Sequence, residues 1–214
     1  MIERDLRVVD DLPEAALRIF LANEPGTILL SGGGTPRRFY ERLATITYPW
    51  EQAEFFFGDE RCVPSDHRDS NYRMAFEALL SHVPAKPYPI DGAGCDADAY
   101  ERMLRDRFGE RPSFDFAVYG LGPDGHTASL FPGRPEVEET ERWVVRVPEA
   151  GQPPYVPRVT LTVPALSAAK LGVFLVGGKE KRDALRKLMM GEDIPAARLA
   201  PQQLVVLADR SAAA

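Results

Sequence analysis

The sequence predicts an α/β fold with a mostly parallel sheet covered on both faces, on three observations. Short apolar runs rich in branched and aromatic residues alternate with amphipathic, helix-spaced stretches along the chain. Glycine turns follow two of the apolar runs at once, at 31–34 and 120–125. The 214 residues, 44% of them hydrophobic, suffice for one sizeable core and are few for two, so 1–214 reads as a single domain.

Each element has its own signal. In 11–24, DLPEAALRIFLANE, Leu12, Ala15, Ala16, Ile19 and Phe20 recur at helical spacing until Pro25-Gly26 stops them. Residues 27–30 form a short strand. A helix then runs through RRFYERLAT, with Thr35 as its N-cap and Pro36 at its first position. AEFFF (53–57) is the next strand, and SNYRMAFEALLSHV (70–83) a helix that Ser70 or Asn71 can cap. Residues 96–108 read as a surface helix with many charges. FDFAVYGL (114–121) has the length of a buried strand. Strand-like runs follow at 143–147, 158–163 and 171–176, then an amphipathic helix at 179–190 and a last strand at 204–207. GQPP (151–154) reads as a loop within the domain, and Ala212–Ala214 as a frayed end.

Composition narrows the function. A net charge of −6 argues against nucleic-acid binding, while a few focused cations can still serve an anionic small molecule. No segment has the roughly 18 apolar residues of a membrane span, and the N-terminus lacks a secretory apolar run. Cys62 and Cys95 are too few and too distant in sequence for a disulfide framework or a zinc site. The expectation is a soluble protein of a reducing, cytoplasmic compartment, with Cys62 a small apolar residue.

Chemistry concentrates at the ends of the predicted strands, where open α/β sheets hold their ligands. The run 31–36, SGGGTP, leaves the amides of Gly33, Gly34 and Thr35 uncovered at a helix N-terminus, which suits a phosphate. It lacks the Gly-Lys-Ser/Thr ending of a triphosphate loop. GLGPDG (120–125) matches a dinucleotide fingerprint in form only. Asp124 would set a carboxylate beside a pyrophosphate, and Pro132 cuts off a supporting helix, so Gly122 is better read as exposing backbone to a small substrate. His126 is the candidate general base, with Asp124 to orient it. His67 and His82 read as structural, and no metal-ligand spacing links the three histidines. Asp59 and Arg61 end another strand, either as a solvated loop pair or facing the same cleft. Arg158 and Lys179, flanking the sheet edge, can pin a dianion.

Together SGGGTP, FFFGDERCVP (55–64), SNYRMA (70–75), GLGPDGHTASLFPG (120–133), PRVTLT (157–162) and the Gly-Gly-Lys ending at Lys179 resemble the 6-phosphogluconolactonase family, in the family's order. The resemblance implies a three-layer α/β sandwich like that of glucosamine-6-phosphate deaminases and ribose-5-phosphate isomerases. It implies hydrolysis of 6-phospho-D-glucono-1,5-lactone in the oxidative pentose phosphate pathway, without cofactor or metal. The deaminase branch shares the glycine–histidine turn and aligns its carbon-acid base with Asp59. It usually carries a glutamate where this chain has Phe131 and a tyrosine where it has Arg61, and both departures favour the lactonase.

The expected partner is a phosphorylated sugar lactone bound to a monomer, or at most a weak homodimer. Gly33, Gly34, Thr35, Arg158 and Lys179 would anchor its phosphate. His126 would activate water, and Arg61 or a backbone N–H of the glycine turn would stabilise the oxyanion. Asp59 would contact sugar hydroxyls or position Arg61. The reading from a different class is a non-catalytic sugar-phosphate sensor, which the chain leaves no room to couple to a DNA-binding module.

Overall fold

The computed structural model describes residues 3–214. In chain order it contains β1 (Asp5–Val9), α1 (Leu12–Asn23), β2 (Thr27–Leu30), α2 (Gly34–Leu43), β3 (Glu54–Phe57), β4 (Asp59–Arg61), α3 (Asn71–Ala75), β5 (Lys86–Tyr88), α4 (Ala97–Phe108) and β6 (Phe114–Gly120). There follow β7 (Val144–Val147), β8 (Arg158–Leu161), α5 (Val163–Leu166), β9 (Ala169–Val176), α6 (Arg182–Met190), β10 (Gln203–Asp209) and α7 (Arg210–Ala213). Seven strands form one sheet in the order β1-β10-β9-β6-β2-β3-β5, every neighbouring pair parallel.

Residues 171–176 of β9 are all buried. Successive strand residues point to opposite faces, so both faces of the sheet are covered by flanking helices. The helices start where their caps dictate. Asp11 accepts the amide of Glu14 at 2.9 Å ahead of α1, and Asp96 that of Ala99 at 3.0 Å ahead of α4. Leu12, Ala16, Leu17 and Phe20 form the buried stripe of α1, and Ala97, Tyr100, Glu101 and Leu104 that of α4.

The parallel sheet matches the expectation from sequence, but β4, β8 and β7 stand apart as a second, antiparallel sheet. Asp-Glu-Arg has no apolar period to announce a strand, so in sequence β4 shows only as a strand's end, and 158–163 looks no different from the parallel strands. The edge strands β1 and β5 also went unread. The predicted 70–83 helix splits into α3 and a π-helical turn, Phe76–Leu80, and the predicted 179–190 helix opens with a 3₁₀ turn, Lys179–Lys181. The C-terminus is not frayed through 213. Asp209 caps α7 by accepting the Ala212 amide at 2.7 Å, and Ala212 is buried.

The cysteine expectation is overturned. Cys62 and Cys95 are joined as a disulfide with Cα atoms 5.0 Å apart. The turn 91–95 lies on the backbone just after β4, with Gly92 so close to the carbonyls of Arg61 and Val63 that no side chain fits there. A separation of 33 residues in sequence says nothing of distance once this packing forms.

Candidate active site

The carboxyl ends of β2, β6, β9 and β10 surround a cleft of about 850 Å³, closed on one flank by β4 and β8. Arg37, Arg38, Arg61, Arg158 and Lys181 line it against Glu41, Asp59, Glu180 and Asp209. The cleft is thus slightly cationic in a chain of net charge −6.

At the end of β6 the chain turns back on itself. The Gly122 amide donates to the His126 carbonyl at 2.8 Å, and the Gly125 amide to the Gly122 carbonyl at 3.0 Å. A Cβ on Gly122 would overlap the imidazole, so the glycine is the space the ring occupies. The ring's other neighbour is Phe131, with centroids 4.9 Å apart. His126 Nδ1 lies 2.6 Å from Asp124 Oδ1, which also accepts the His126 amide at 3.1 Å. A carboxylate only accepts, so Nδ1 carries a proton, and in the neutral form of the ring the lone pair therefore lies on Nε2. Among the described residues Nε2 has no protein partner, and His126 lines the cleft. Burial works against the charge of Asp124. The hydrogen bond and positive potential of His126, the His126 amide and the amide of Gln152 outweigh it and hold the carboxyl well below its usual range.

The glycine loop is held from behind. Tyr40, buried on α2, donates to the Ser31 carbonyl at 2.9 Å and accepts the Ser31 amide at 2.8 Å. The N-cap of α2 is Gly33, at φ +110°, and not Thr35, which lies inside the first turn. The Gly34 and Thr35 amides therefore open the helix without intrahelical acceptors, beside the cleft.

Asp59, Arg61 and Arg158 meet on the flanking sheet, where Arg61 and Arg158 are cross-strand partners. Asp59 is buried, its Oδ2 accepting Ser129 Oγ at 2.6 Å and its Oδ1 accepting Asn71 Nδ2 at 3.1 Å. Arg61 Nη1 donates to the Asp69 carbonyl at 2.7 Å, leaving a buried Nε without a partner. Arg158 is 3% exposed. Its Nη2 donates to the carbonyls of Pro154 at 2.7 Å and Gln152 at 3.2 Å, and its Nε to that of Val156 at 3.2 Å. Burial, with the charge of Arg61 adding to it, lowers the Arg158 pKa against the opposing pull of Asp59, Glu60 and Asp69.

One predicted ligand is displaced. Lys179 is exposed and does not line the cleft, whereas Lys181, two residues on, is half-buried and does. The 3₁₀ turn after Gly178, closed by the Lys181 amide on the Gly178 carbonyl at 3.1 Å, points the first lysine away and brings in the second. Burial lowers the Lys181 pKa, partly offset by Glu180 and Asp124. His67 and His82 stay outside the cleft, making local contacts to the Asp69 amide and the Glu77 carbonyl. Asn71, Ser129 and Gln152 were missed. Asn71 was legible only as a possible cap, a role Ser70 takes by accepting the Arg73 amide at 3.1 Å. Ser129 and Gln152 gave no signal.

Comparison with known proteins bears on this arrangement. The family described as glucosamine-6-phosphate isomerases/6-phosphogluconolactonase matches residues 6–208. A 6-phosphogluconolactonase of Synechocystis sp. is 42% identical over 203 residues, covering 87% of this chain and 83% of that one. Another from Thermotoga maritima is 38% identical over 178 residues, covering 79% and 77%. Among solved structures, the Thermotoga maritima 6-phosphogluconolactonase superposes with a TM-score of 0.88 at 29% identity over 97% of this chain and 100% of the other. The Trypanosoma brucei 6-phosphogluconolactonase gives 0.88 at 30%, over 100% and 98%. A monomeric glucosamine-6-phosphate deaminase, 22% identical, shares the fold with a TM-score of 0.84 over 98% of each chain. The chain belongs to the glucosamine-6-phosphate isomerase/6-phosphogluconolactonase family.

Proposed function

We propose that this chain is a 6-phosphogluconolactonase, hydrolysing 6-phospho-D-glucono-1,5-lactone to 6-phosphogluconate as a step of the oxidative pentose phosphate pathway. The observation that carries the reading is the state of His126: Nδ1 committed to Asp124, Nε2 free in a cleft that also holds unpaired helix amides and buried cations. The names of the relatives support the same reaction.

The chemistry follows from those groups. The amides of Gly34 and Thr35, with Lys181 and Arg158, hold the phosphate, and this remote binding energy fixes the lactone carbonyl near His126. Nε2 takes a proton from water as the water oxygen attacks the carbonyl carbon. The oxyanion is met by Arg61 or by a backbone N–H of the glycine turn. Collapse of the tetrahedral intermediate breaks the bond to the ring oxygen, which receives the proton from the imidazolium. Asp124 keeps the imidazole in the required tautomer throughout. Asp59, held by Ser129 and Asn71, presents a fixed acceptor edge to the sugar.

Phe131 separates this reading from deamination. The resemblance puts a glutamate at that position in the deaminase branch, whereas here a phenyl ring packs on the imidazole. An apolar neighbour has no charge with which to assist sugar-ring opening. The test is coupled: supply the lactone, capture 6-phosphogluconate with its dehydrogenase, and follow NADPH above spontaneous opening. A parallel reaction with glucosamine 6-phosphate, assayed for ammonia, should give none. Ammonia release without accelerated lactone opening would reverse the assignment, and neither activity would favour a sensor.

A further inference from the structure

We infer that Gln152 is a positioning residue that locks the Asp124–His126 pair and ties it to Arg158, an inference that rests on the lactonase reading above.

Asp124 has two carboxylate oxygens and uses them for different neighbours. Oδ1 takes the Nδ1 and amide contacts of His126. Oδ2 accepts Nε2 of Gln152 at 3.1 Å. A carboxylate gripped through one oxygen can still turn about its Cβ–Cγ bond. Gripped through both, its plane is set, and with it the direction from which the imidazole is held. The amide orientation of Gln152 is not arbitrary, because a carboxylate cannot donate and must therefore face the NH₂ group.

The main chain of the same residue points the other way in function. The Gln152 carbonyl accepts Arg158 Nη2 at 3.2 Å, while the carbonyls of Pro154 and Val156 take further donors of that guanidinium. Arg158 thus gathers the 152–156 loop around itself, and the loop's first residue reaches over to Asp124. Gly151, just before it, lies against the ring of Phe131, which packs on His126. The cation assigned to the phosphate and the base assigned to water are linked through one side chain and its own carbonyl.

The test compares Gln152→Ala, which removes the donor, with Gln152→Glu, which sets a second carboxylate against Asp124, and Gln152→Lys, which restores a donor. Losing a hydrogen bond to a charged group should lower kcat roughly 10-fold in Gln152→Ala, more in Gln152→Glu and less in Gln152→Lys, with KM changing little. In an Arg158→Ala background the Gln152→Ala loss should shrink, since the loop is already released. Nitrogen-15 shifts of the His126 ring read the effect without turnover, and should move from a single Nδ1–H tautomer toward a mixture in Gln152→Ala and Gln152→Glu. Unchanged kcat and unchanged ring shifts in both variants would overturn the inference. So would a fall in thermal stability with neither readout altered. Shifted ring signals in a protein whose wild type opens no lactone would uphold the positioning role and overturn the proposed reaction instead.

Discussion

Arg61 on β4 and Arg158 on β8 stand opposite one another in the antiparallel ladder, two guanidinium-bearing residues sharing one wall of the cleft. Like charges facing across strands are destabilising unless something between them is negative. Asp59 supplies part of that charge, and a bound phosphate would supply more. Saturating 6-phosphogluconate should therefore stabilise the fold. At a hundred times Kd the gain is about 2.7 kcal/mol, or roughly 5–10 °C for a chain of this size. Thermal unfolding with and without ligand measures it. Arg158→Ala should reduce the shift at the same ligand concentration and erode the preference for phosphorylated over unphosphorylated gluconolactone. An undiminished shift would move the phosphate off this wall.

The two neighbouring lysines offer a sharper contrast. Lys181→Ala should raise KM for the phosphorylated lactone about 10-fold or more, the effect of losing a charge-assisted contact. Lys179→Ala should leave the initial rates near those of the wild type, because its side chain lies outside the cleft. Equal effects from both would contradict the geometry of the 3₁₀ turn.

His126→Ala should cut kcat by roughly 10²–10⁴-fold, the usual range for a lost general base, with the far-ultraviolet circular dichroism unchanged. Gly122→Ala should do comparable damage without touching a titratable group, since the added methyl claims the place of the ring. Steady-state kinetics on the two variants tests both, and a fully active Gly122→Ala enzyme would show that the ring can work from elsewhere.

Asp124 makes a prediction about stability and pH. Its folded-state pKa lies below the unfolded value of about 3.9. The contribution of its charge is fully present above that value and drains away as pH falls from about 5 through the folded pKa. The gap between the urea midpoints of the wild type and Asp124→Asn should narrow from about pH 6 to about pH 3 and close only below that, towards the folded pKa. A gap that widened on acidification would carry the wrong sign.

The disulfide closes a loop of 33 residues' separation. Chain-entropy arithmetic for that length gives about 3–4 kcal/mol as the stabilisation lost in Cys62→Ser. Equilibrium denaturation of the variant, and of the wild type treated with a dithiol, should agree. A loss well under 1 kcal/mol in both would mean that the reduced, unfolded chain is already constrained.

Much of this was legible in the sequence, for physical reasons. FDFAVYGL buries side chains on both faces and so reads as an apolar run, and the turn after it advertises itself through glycine. His126 and Asp124 are two residues apart, so their contact is local and visible. What escaped depends on distant packing. The partners of Asp59 are Asn71 and Ser129, 12 and 70 residues away, and the partner of Cys62 is 33 residues on. The displacement of Lys179 by Lys181 turns on one tight 3₁₀ turn, which helical periodicity cannot distinguish from a regular helix start.

At one edge of the large sheet, β1 pairs, among the described strands, with β10 alone. Asp5 of β1 faces Val205 of β10, so this edge of the sheet closes through a pairing between segments far apart in sequence. The loop bearing Lys181 follows β9, which β10 flanks, and Asp209 at the end of β10 accepts the Gly178 amide at 3.0 Å, so the proposed phosphate seat is braced by that same strand. Without β10 the histidine turn would keep its local bonds, while β1 would lose its sheet neighbour and the turn before Lys181 its carboxylate brace.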